Sequence, residues 1–289
     1  MELKMELELE RSRRRIAVNK TQVAVNAVMF LFTISCIFPL LWLIYSSLKT
    51  QPEFANSIMA LPRTLHFENY AEAIKLTHMF QLAWNSARVT VISVIGIVFI
   101  SFVTGYITAR LDFKGKRLMV VYYLFGLLVP IHALLVPVYL LFKNTGLADQ
   151  WYTLIIPYIA FNLSVPIMLV NGYITAIPRE IEEASAIDGL GFSGTMFKII
   201  MPIAVPVLTT VAILQFFACW NEFSFALVLL KDESLRTVPL GMSYFKSQYS
   251  TNYPQLMAGM VLSMLPVTLL YFTFSSRIIS SVMAGSVKG

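Results

Sequence analysis

The stretch from position 183 begins Glu183-Ala184-Ser185-Ala186-Ile187-Asp188-Gly189 and continues to Phe197-Lys198-Ile199-Ile200-Met201-Pro202. A long apolar segment precedes it and another follows soon after it. A polar, helix-forming insert between two apolar spans lies at the membrane surface, because the bilayer core does not accommodate it. A segment held there is well placed to contact a soluble partner. We call residues 178–206 the surface loop.

The surface loop is predicted to form two short helices. Pro178 suits the first position of the first helix, where the missing N–H costs nothing. Three carboxylates follow in the first turns, where they interact well with the positive end of the helix dipole; they are Glu180, Glu182 and Glu183. Gly189 lies where this helix stops, at a position that favours a left-handed conformation.

The second helix of the surface loop is predicted to begin at a cap formed by Ser193. It places Phe197, Ile200 and Met201 on roughly one face before Pro202 ends it. The result is a bent helix–turn–helix with exposed small residues near the bend, namely Ala184, Ser185 and Ala186. Small side chains there allow a cleft of another protein to close tightly around the backbone.

The composition is that of a membrane protein. Of the 289 residues, 57% are hydrophobic and 13% are charged, and the mean hydropathy is +0.70. Soluble proteins carry about 25% charged residues, so we predict an all-α integral membrane protein. Its six transmembrane helices each have near the roughly 20 residues that cross a bilayer core. The predicted spans are residues 23–48, 86–108, 118–141, 152–173, 205–230 and 256–279.

The net charge of +6 indicates the orientation of the chain in the membrane rather than a nucleic-acid partner. The cations cluster beside apolar segments, before the first span and in the short loop after the second, which is the positive-inside pattern. The segments on the side of the surface loop hold most of the 22 Lys and Arg residues. We therefore predict that the surface loop and both termini are cytoplasmic. The predicted domains are an N-terminal segment (1–21), a six-span domain (22–283) and a tail (284–289).

Trp220, Asn221 and Glu222 form an aromatic and polar patch inside the predicted fifth span. A carboxylate within a span is unfavourable unless it is paired or wetted. Aromatic faces stack on the C–H surfaces of sugars while polar groups bind the hydroxyls, so one hypothesis is that this patch lines a translocation path or its gate. The other hypothesis is that Glu222 anchors helix packing and is satisfied by neighbouring spans. The sequence leaves both open.

Motifs for catalysis are absent from the sequence. There is no Gly-x-x-x-x-Gly-Lys-Ser/Thr phosphate loop, and Lys114-Gly115-Lys116 lacks both the upstream glycine and the following hydroxyl. No metal-ligand spacing and no nucleophile–base pair stands out. We expect no cofactor, no metal and no catalytic residue, and we predict that the chain itself is not an enzyme.

The surface loop resembles the EAA loop of ATP-binding-cassette (ABC) importer permeases. In that family the pattern is roughly Glu-Ala-Ala, a few residues, Asp-Gly, then an aromatic residue and an apolar-Pro ending. The matching positions are Glu183, Ala184, Asp188, Gly189, Phe197 and Pro202, while Ser185 replaces the second Ala. Other segments resemble the maltose-type sugar permeases, and the shorter, second-subunit branch fits best. These segments include PLLWLIYSSLK (39–49), YITARLDFKG (106–115), WNEF (220–223) and GSVKG (285–289).

The resemblance implies the type I ABC importer permease fold, with the surface loop as its cytoplasmic coupling loop. It implies a sugar or oligosaccharide cargo and a place in the cell membrane of a bacterium or archaeon. The implied partners are a homologous second permease, two ABC ATPase subunits that hydrolyse ATP, and an extracytoplasmic solute-binding protein.

The resemblance also implies roles for single residues of the surface loop. Glu183 would bond to a cation in the ATPase cleft. Asp188 and Gly189 would fix the bend, and Phe197 and Met201 would anchor the loop to its own bundle. The tail at Val287–Gly289 is a further candidate for the ATPase interface.

Two alternatives stay open on the sequence. An ion-coupled secondary transporter needs no ATPase, and it predicts ionisable partners in facing spans together with internal repeats. An importer permease for a non-sugar solute, such as a polyol or glycerol-phosphate, shares the whole mechanism and differs only in its cargo.

Overall fold

The structure is a computed structural model, and it describes residues 20–248 and 252–286. Within these two ranges every regular element is helical. Residues 1–19 of the predicted N-terminal segment lie outside them. So does Val287–Gly289, the end of the tail for which an ATPase contact is expected.

Fourteen helices follow one another along the described chain. They are α1 (Lys20–Ser46), α2 (Gln51–Asn56), α3 (Glu68–Thr77), α4 (Met79–Arg110), α5 (Lys116–Leu128), α6 (Leu135–Thr145), α7 (Ile155–Phe161), α8 (Ser164–Thr175), α9 (Glu180–Ile187), α10 (Phe192–Ile203), α11 (Val205–Trp220), α12 (Ser224–Leu229), α13 (Val238–Gln248) and α14 (Tyr253–Ser286). Short 3₁₀ turns precede α6 and α13, at Ile131–Leu134 and Glu233–Leu235.

Six candidate membrane spans result from these helices. Three helices, α1, α4 and α14, are long and apolar enough to cross a bilayer on their own. Three further pairs meet that criterion only together and are bent at a break, by 91° between α5 and residues 131–145, by 50° between α7 and α8, and by 73° between α10 and α11. The predicted all-α, six-span fold class is confirmed. The third, fourth and fifth candidate spans are broken pairs rather than continuous helices. The α10–α11 pair begins within the surface loop, before residue 205, where the fifth span was predicted to start.

Prolines account for the position of these breaks, since a proline lacks the backbone N–H that would continue a helical ladder. Pro130 follows α5, and Val129 before it is extended, as the residue before a proline prefers. Pro206 lies in the first turn of α11, immediately after the bend at Ala204. Pro166 similarly lies in the first turn of α8, where no donor is needed.

The centre of the bundle is α4, a helix of 32 residues. A side chain at Gly105 would place its Cβ 2.7 Å from Cγ1 of Val170 on α8, and one at Gly96 would come 2.7 Å from Cδ1 of Ile159 on α7. The two halves of the fourth span therefore cross α4 at close range, as small residues allow in membrane helices. By contrast, none of the apolar window of α1 is buried within this chain.

Candidate functional site

The first helix of the surface loop ends in a hydrogen-bonded turn. Gly189 has φ +83°, the left-handed conformation predicted for it. Its N–H donates to the carbonyl of Ala186 at 3.0 Å, and the N–H of Leu190 donates to the carbonyl of Ser185 at 3.0 Å. These two bonds form a Schellman motif, which satisfies the last carbonyls of α9 and fixes the direction in which the chain leaves it.

The predicted limits of the two loop helices need correction. The first helix begins at Glu180, two residues after Pro178. The second begins at Phe192, so Ser193 lies within its first turn and makes no capping hydrogen bond.

Pro202 does not end the second helix, which continues to Ile203. The reason is a π-helical segment, Thr195–Ile200, in which the N–H of Met201 reaches back five residues to the carbonyl of Met196. This wider turn accommodates the proline without breaking the helix. The break follows at Ala204, where α11 begins at a large angle.

Ser185 is buried rather than exposed, in contrast to the prediction for the small residues near the bend. The residue is 4% exposed. Its hydroxyl donates to the carbonyl of Glu182 at 2.7 Å and lies 2.7 Å from Oγ1 of Thr195 on α10. Because the proton of Ser185 is already used, the hydroxyl of Thr195 is the donor between the two side chains. Ser185 thus joins the two loop helices, while Ala184 and Ala186 are exposed.

The tip of the surface loop presents two carboxylates and an apolar side chain to solvent. Glu183, Asp188 and Gly189 are exposed, and Ile187 beside them is 87% exposed. These groups are therefore accessible at the end of the hairpin.

The base of the surface loop rests on one face of α4. Phe99, Phe102, Tyr106 and Arg110 recur every three or four residues, so they lie in a single stripe of that helix. The ring of Phe197 lies 6.3 Å from that of Phe99 and 6.0 Å from that of Phe102, measured between centroids. Met201 packs against the main hydrophobic core. These contacts attach the second loop helix to the bundle.

A charged group at the end of α4 binds the first loop helix. The guanidinium of Arg110 pairs with the carboxylate of Glu182 and also donates to the carbonyl of Ile177 at 2.8 Å. The hydroxyl of Tyr106 donates to the same carboxylate at 3.0 Å. From the sequence, Glu182 was assigned only to the helix dipole, and its pairing with Arg110 was not predicted. An arginine that ends an apolar span, with acidic residues in a loop on the same side, was the available signal.

The predicted fifth span is interrupted where the aromatic and polar patch lies. Helix α11 ends at Trp220 and α12 begins at Ser224, so Glu222 occupies a break. Its carboxylate accepts hydrogen bonds from the N–H of Phe225 at 2.6 Å and the N–H of Ala226 at 3.2 Å, and from the hydroxyl of Tyr158 at 2.8 Å. These bonds favour the packing interpretation of Glu222, which satisfies the first N–H groups of α12.

Trp220 and Asn221 face a cavity of about 340 Å³ between α11, α13 and α14. Its volume lies within the range of small-molecule sites in proteins. The lining residues are Trp220, Asn221, Val238, Pro239, Met242, Met260, Ser263, Met264, Val267 and Thr268. Of the three residues predicted to line a path, the structure brings two to this cavity, while Glu222 is not part of its wall.

Comparison with known proteins gives three kinds of match. Residues 101–282 match the family model described as binding-protein-dependent transport system inner membrane component. The probable ABC transporter permease protein YurM of Bacillus subtilis is 34% identical over 97% of this chain and 92% of its own length. The diacetylchitobiose uptake system permease protein NgcG of Streptomyces coelicolor is 32% identical over 91% of this chain and 88% of its own.

A solved structure has the same fold. It is a chain from the crystal structure of a bacterial ABC transporter involved in the import of the acidic polysaccharide alginate, with a TM-score of 0.78 and 22% identity over 90% of this chain and 97% of that one. The match of the family model covers more than half of the sequence, and the similarity to YurM covers nearly all of it. The chain therefore belongs to the family of inner membrane components of binding-protein-dependent transport systems.

Proposed function

We propose that this chain is one of two homologous permease subunits of an ATP-driven importer for a sugar or oligosaccharide. In this proposal the surface loop docks into a cytoplasmic ABC ATPase subunit, and two such subunits supply the energy. An extracytoplasmic solute-binding protein delivers the cargo. The observation that carries the proposal is the loop itself, which has an exposed acidic tip and a base fixed to the central helix α4.

The geometry of the tip supports docking to the ATPase. The turn at Gly189 is held by backbone hydrogen bonds, so the tip presents a defined shape to a partner. Glu183 and Asp188 are exposed there. In the proposal Glu183 pairs with a cation in the ATPase cleft, Asp188 and Gly189 keep the bend, and Ala184 permits close approach.

The contacts of Arg110 support a cytoplasmic position for the surface loop. They bring the end of α4, and with it the basic loop at residues 110–117, to the same side of the bundle as Glu182. Clusters of cations mark the cytoplasmic side of a membrane protein. In the proposal both termini lie on this side, and the apolar surface of α1 is covered by lipid and by the second permease.

The transport cycle follows from this assembly. Closure of the ATPase pair around ATP pushes on the surface loops of the two permeases. The spans then change from an inward-facing to an outward-facing arrangement, in which the binding protein releases its cargo. This chain contributes the path and the docking surface, and its partners carry out the hydrolysis.

The cavity beside Trp220 favours a neutral, hydroxyl-rich cargo. The indole offers a face for sugar C–H groups, while Asn221, Ser263 and Thr268 offer hydrogen bonds. None of the lining side chains that the structure describes carries a charge, which disfavours a glycerol-phosphate. The likeness to a diacetylchitobiose permease is consistent with a saccharide. In the proposal Glu222 acts by holding the break that positions Asn221.

The test is purification of the tagged chain in mild detergent from its own host, followed by mass spectrometry of the proteins that accompany it. A double variant, Asp188→Arg with Gly189→Pro, is compared with a matched control, Asp112→Arg with Gly115→Pro. The control also changes an exposed carboxylate and a glycine with positive φ (+96°), but in the neighbouring loop.

We expect the wild-type chain and the control to retain an ATPase and a second permease, and the loop variant to retain the permease alone. A wild-type chain that purifies by itself contradicts the proposal. The binding protein of the same system, titrated with neutral oligosaccharides and with glycerol phosphate, then tests the cargo. Binding of the phosphate alone would refute the sugar assignment.

A further inference from the structure

Tyr106, Arg110 and Glu182 attach the surface loop to a span that is not its neighbour in sequence. The chain itself connects the loop to α8 before it and to α11 after it. The three side chains add a connection to α4, across 72 and 76 residues of sequence. We call these three residues the latch.

The latch is directional and shielded from water. The side chain of Arg110 is 6% exposed and that of Glu182 is 18% exposed. Hydrogen bonds between ionised groups are strong and fix orientation, and a poorly hydrated setting strengthens them further. Arg110 also holds the carbonyl of Ile177, directly before the loop. One guanidinium therefore restrains both the entry to the loop and its first helix.

The other contacts between the loop and α4 are less restrictive. Phe197 lies against Phe99 and Phe102 through ring surfaces, and apolar contacts are non-directional. Tyr106 belongs to both sets, since its hydroxyl binds Glu182 on the first loop helix and its ring lies 5.4 Å from that of Phe192 on the second. Sliding of the loop along α4 is resisted mainly by the latch.

We propose that the latch transmits displacement of the surface loop to α4, so that the loop and the second span move as one rigid body when the ATPase acts. This inference rests on the proposed function and deepens it, because it names the residues through which the docking site drives the bundle. Without the latch, the surface loop moves with α8 and α11, and α4 is displaced less than they are.

A distance measurement by double electron–electron resonance tests the latch. Spin labels are attached at Glu180→Cys, at the start of α9, and at Phe80→Cys, at the opposite end of α4; both positions are exposed. The background carries Cys36→Ser and Cys219→Ala, which removes both native cysteines. The complete complex is measured without nucleotide and after trapping with ATP and vanadate.

In the complex with an intact latch we expect the same distance in both states. Glu182→Gln and Tyr106→Phe should each make the distance depend on nucleotide, by roughly 2 Å or more, the size of shifts between packed helices. Lys116→Gln, which removes an exposed ion pair with Asp112 at the same end of the bundle, is the matched control and should leave the distance constant. Tyr106→Phe removes only the hydroxyl and preserves the ring contact with Phe192. This variant therefore tests the latch even if the complex with Glu182→Gln assembles poorly.

Two results would overturn the latch: a distance that depends on nucleotide with the latch intact, or one that stays constant in both latch variants. Either result with the ATPase bound leaves the proposed function standing. A preparation of the unsubstituted chain that contains no ATPase contradicts the proposed function itself, so the two failures are distinguishable.

Discussion

Glu182 and Glu222 are two partly buried carboxylates with similar partners and different consequences. Each accepts a hydrogen bond from a tyrosine hydroxyl on another helix, Tyr106 in one case and Tyr158 in the other. The other hydrogen bonds that Glu222 accepts come from backbone N–H groups three and four residues ahead in the sequence. Glu182 instead binds Arg110, 72 residues away. Glu222 stabilises a local break, and Glu182 connects two parts of the bundle.

The comparison shows that the position of a charge in the sequence does not reveal its role. Glu222 stood out because it lies in an apolar segment, and Glu182 did not because it lies in a polar one. In the structure both are held by neighbouring elements, while Glu183, next to Glu182, is exposed. Four predictions test whether the difference between local and long-range pairing is real.

The largest effect is expected from Glu222→Ala. The substitution leaves the hydroxyl of Tyr158, a residue that is 2% exposed, and two backbone N–H groups without their acceptor. We expect the free energy of unfolding to fall by about 3 kcal/mol, because unsatisfied buried donors are costly. Thermal unfolding in detergent measures it, with Glu183→Ala as the exposed control. Equal melting temperatures for the two variants would contradict the capping role.

A sharper test compares Tyr158→Phe with Tyr106→Phe. Each removes one hydroxyl that binds a carboxylate, so we expect each to cost about 1–2 kcal/mol of stability. The two should differ in the spin-label measurement, where only Tyr106→Phe makes the distance between α9 and the far end of α4 depend on nucleotide. If Tyr158→Phe has the same effect, the distinction between a local and a transmitting carboxylate fails.

Gly189→Ala changes the shape of the tip of the surface loop and leaves the attachment of the loop to α4 intact. Because φ at Gly189 is +83° and no heavy atom lies within 4 Å of an added Cβ, the cost is conformational and amounts to about 1 kcal/mol. We expect less ATPase to co-purify and the distance in the remaining complex to stay constant. Gly191→Ala, at φ −77° and also in open space, should leave recovery of the ATPase unchanged. Equal loss in both variants would contradict the role of the turn.

The smallest effect is expected at the exposed pair of Asp112 and Lys116. The hydrogen bond and the charge of Lys116 lower the pKa of Asp112 below its ordinary value of 3.8. A lowered folded-state pKa stabilises the protein above the ordinary value, and this contribution disappears as the pH falls through the lowered pKa. Asp112→Asn should therefore lower the melting temperature slightly at neutral pH and not at all in strong acid, since exposed pairs contribute little. A large shift at neutral pH that disappears in strong acid would show that this exposed pair also holds its end of the bundle.

Family membership decides against one of the two alternatives that the sequence left open. The match to inner membrane components of binding-protein-dependent transport systems excludes the interpretation as an ion-coupled secondary transporter. The structure adds a reason, since Glu222 is occupied by hydrogen bonds that hold a helix break. Trp220 and Asn221 remain candidates for the path, and transport by a Glu222→Gln variant at normal rate and abundance would remove Glu222 from it.

Local signals allowed several features to be predicted from the sequence. The left-handed turn at Gly189 follows from residue type and position in the chain. The contact of Phe197 with the bundle was expected from the resemblance to ABC importer permeases. The start of each loop helix was missed by two residues. Pro178 was predicted as the first helical residue where Glu180 is, and Ser193 as the N-cap where Gly191 is. Pro202 was taken as a helix end because the π-helical segment that accommodates it has no sequence signal of its own.

The sequence alone determined that this chain is a six-span membrane protein, and it predicted a polar loop at the membrane surface. Apolar length, charge bias and helix termination depend on neighbouring residues, so they are visible without a fold. Tertiary structure decided the angles at the breaks, the burial of Ser185 and the choice of Glu182 as the partner of Arg110. Those outcomes depend on which helices cross at close range, and that crossing brings together residues more than 70 positions apart.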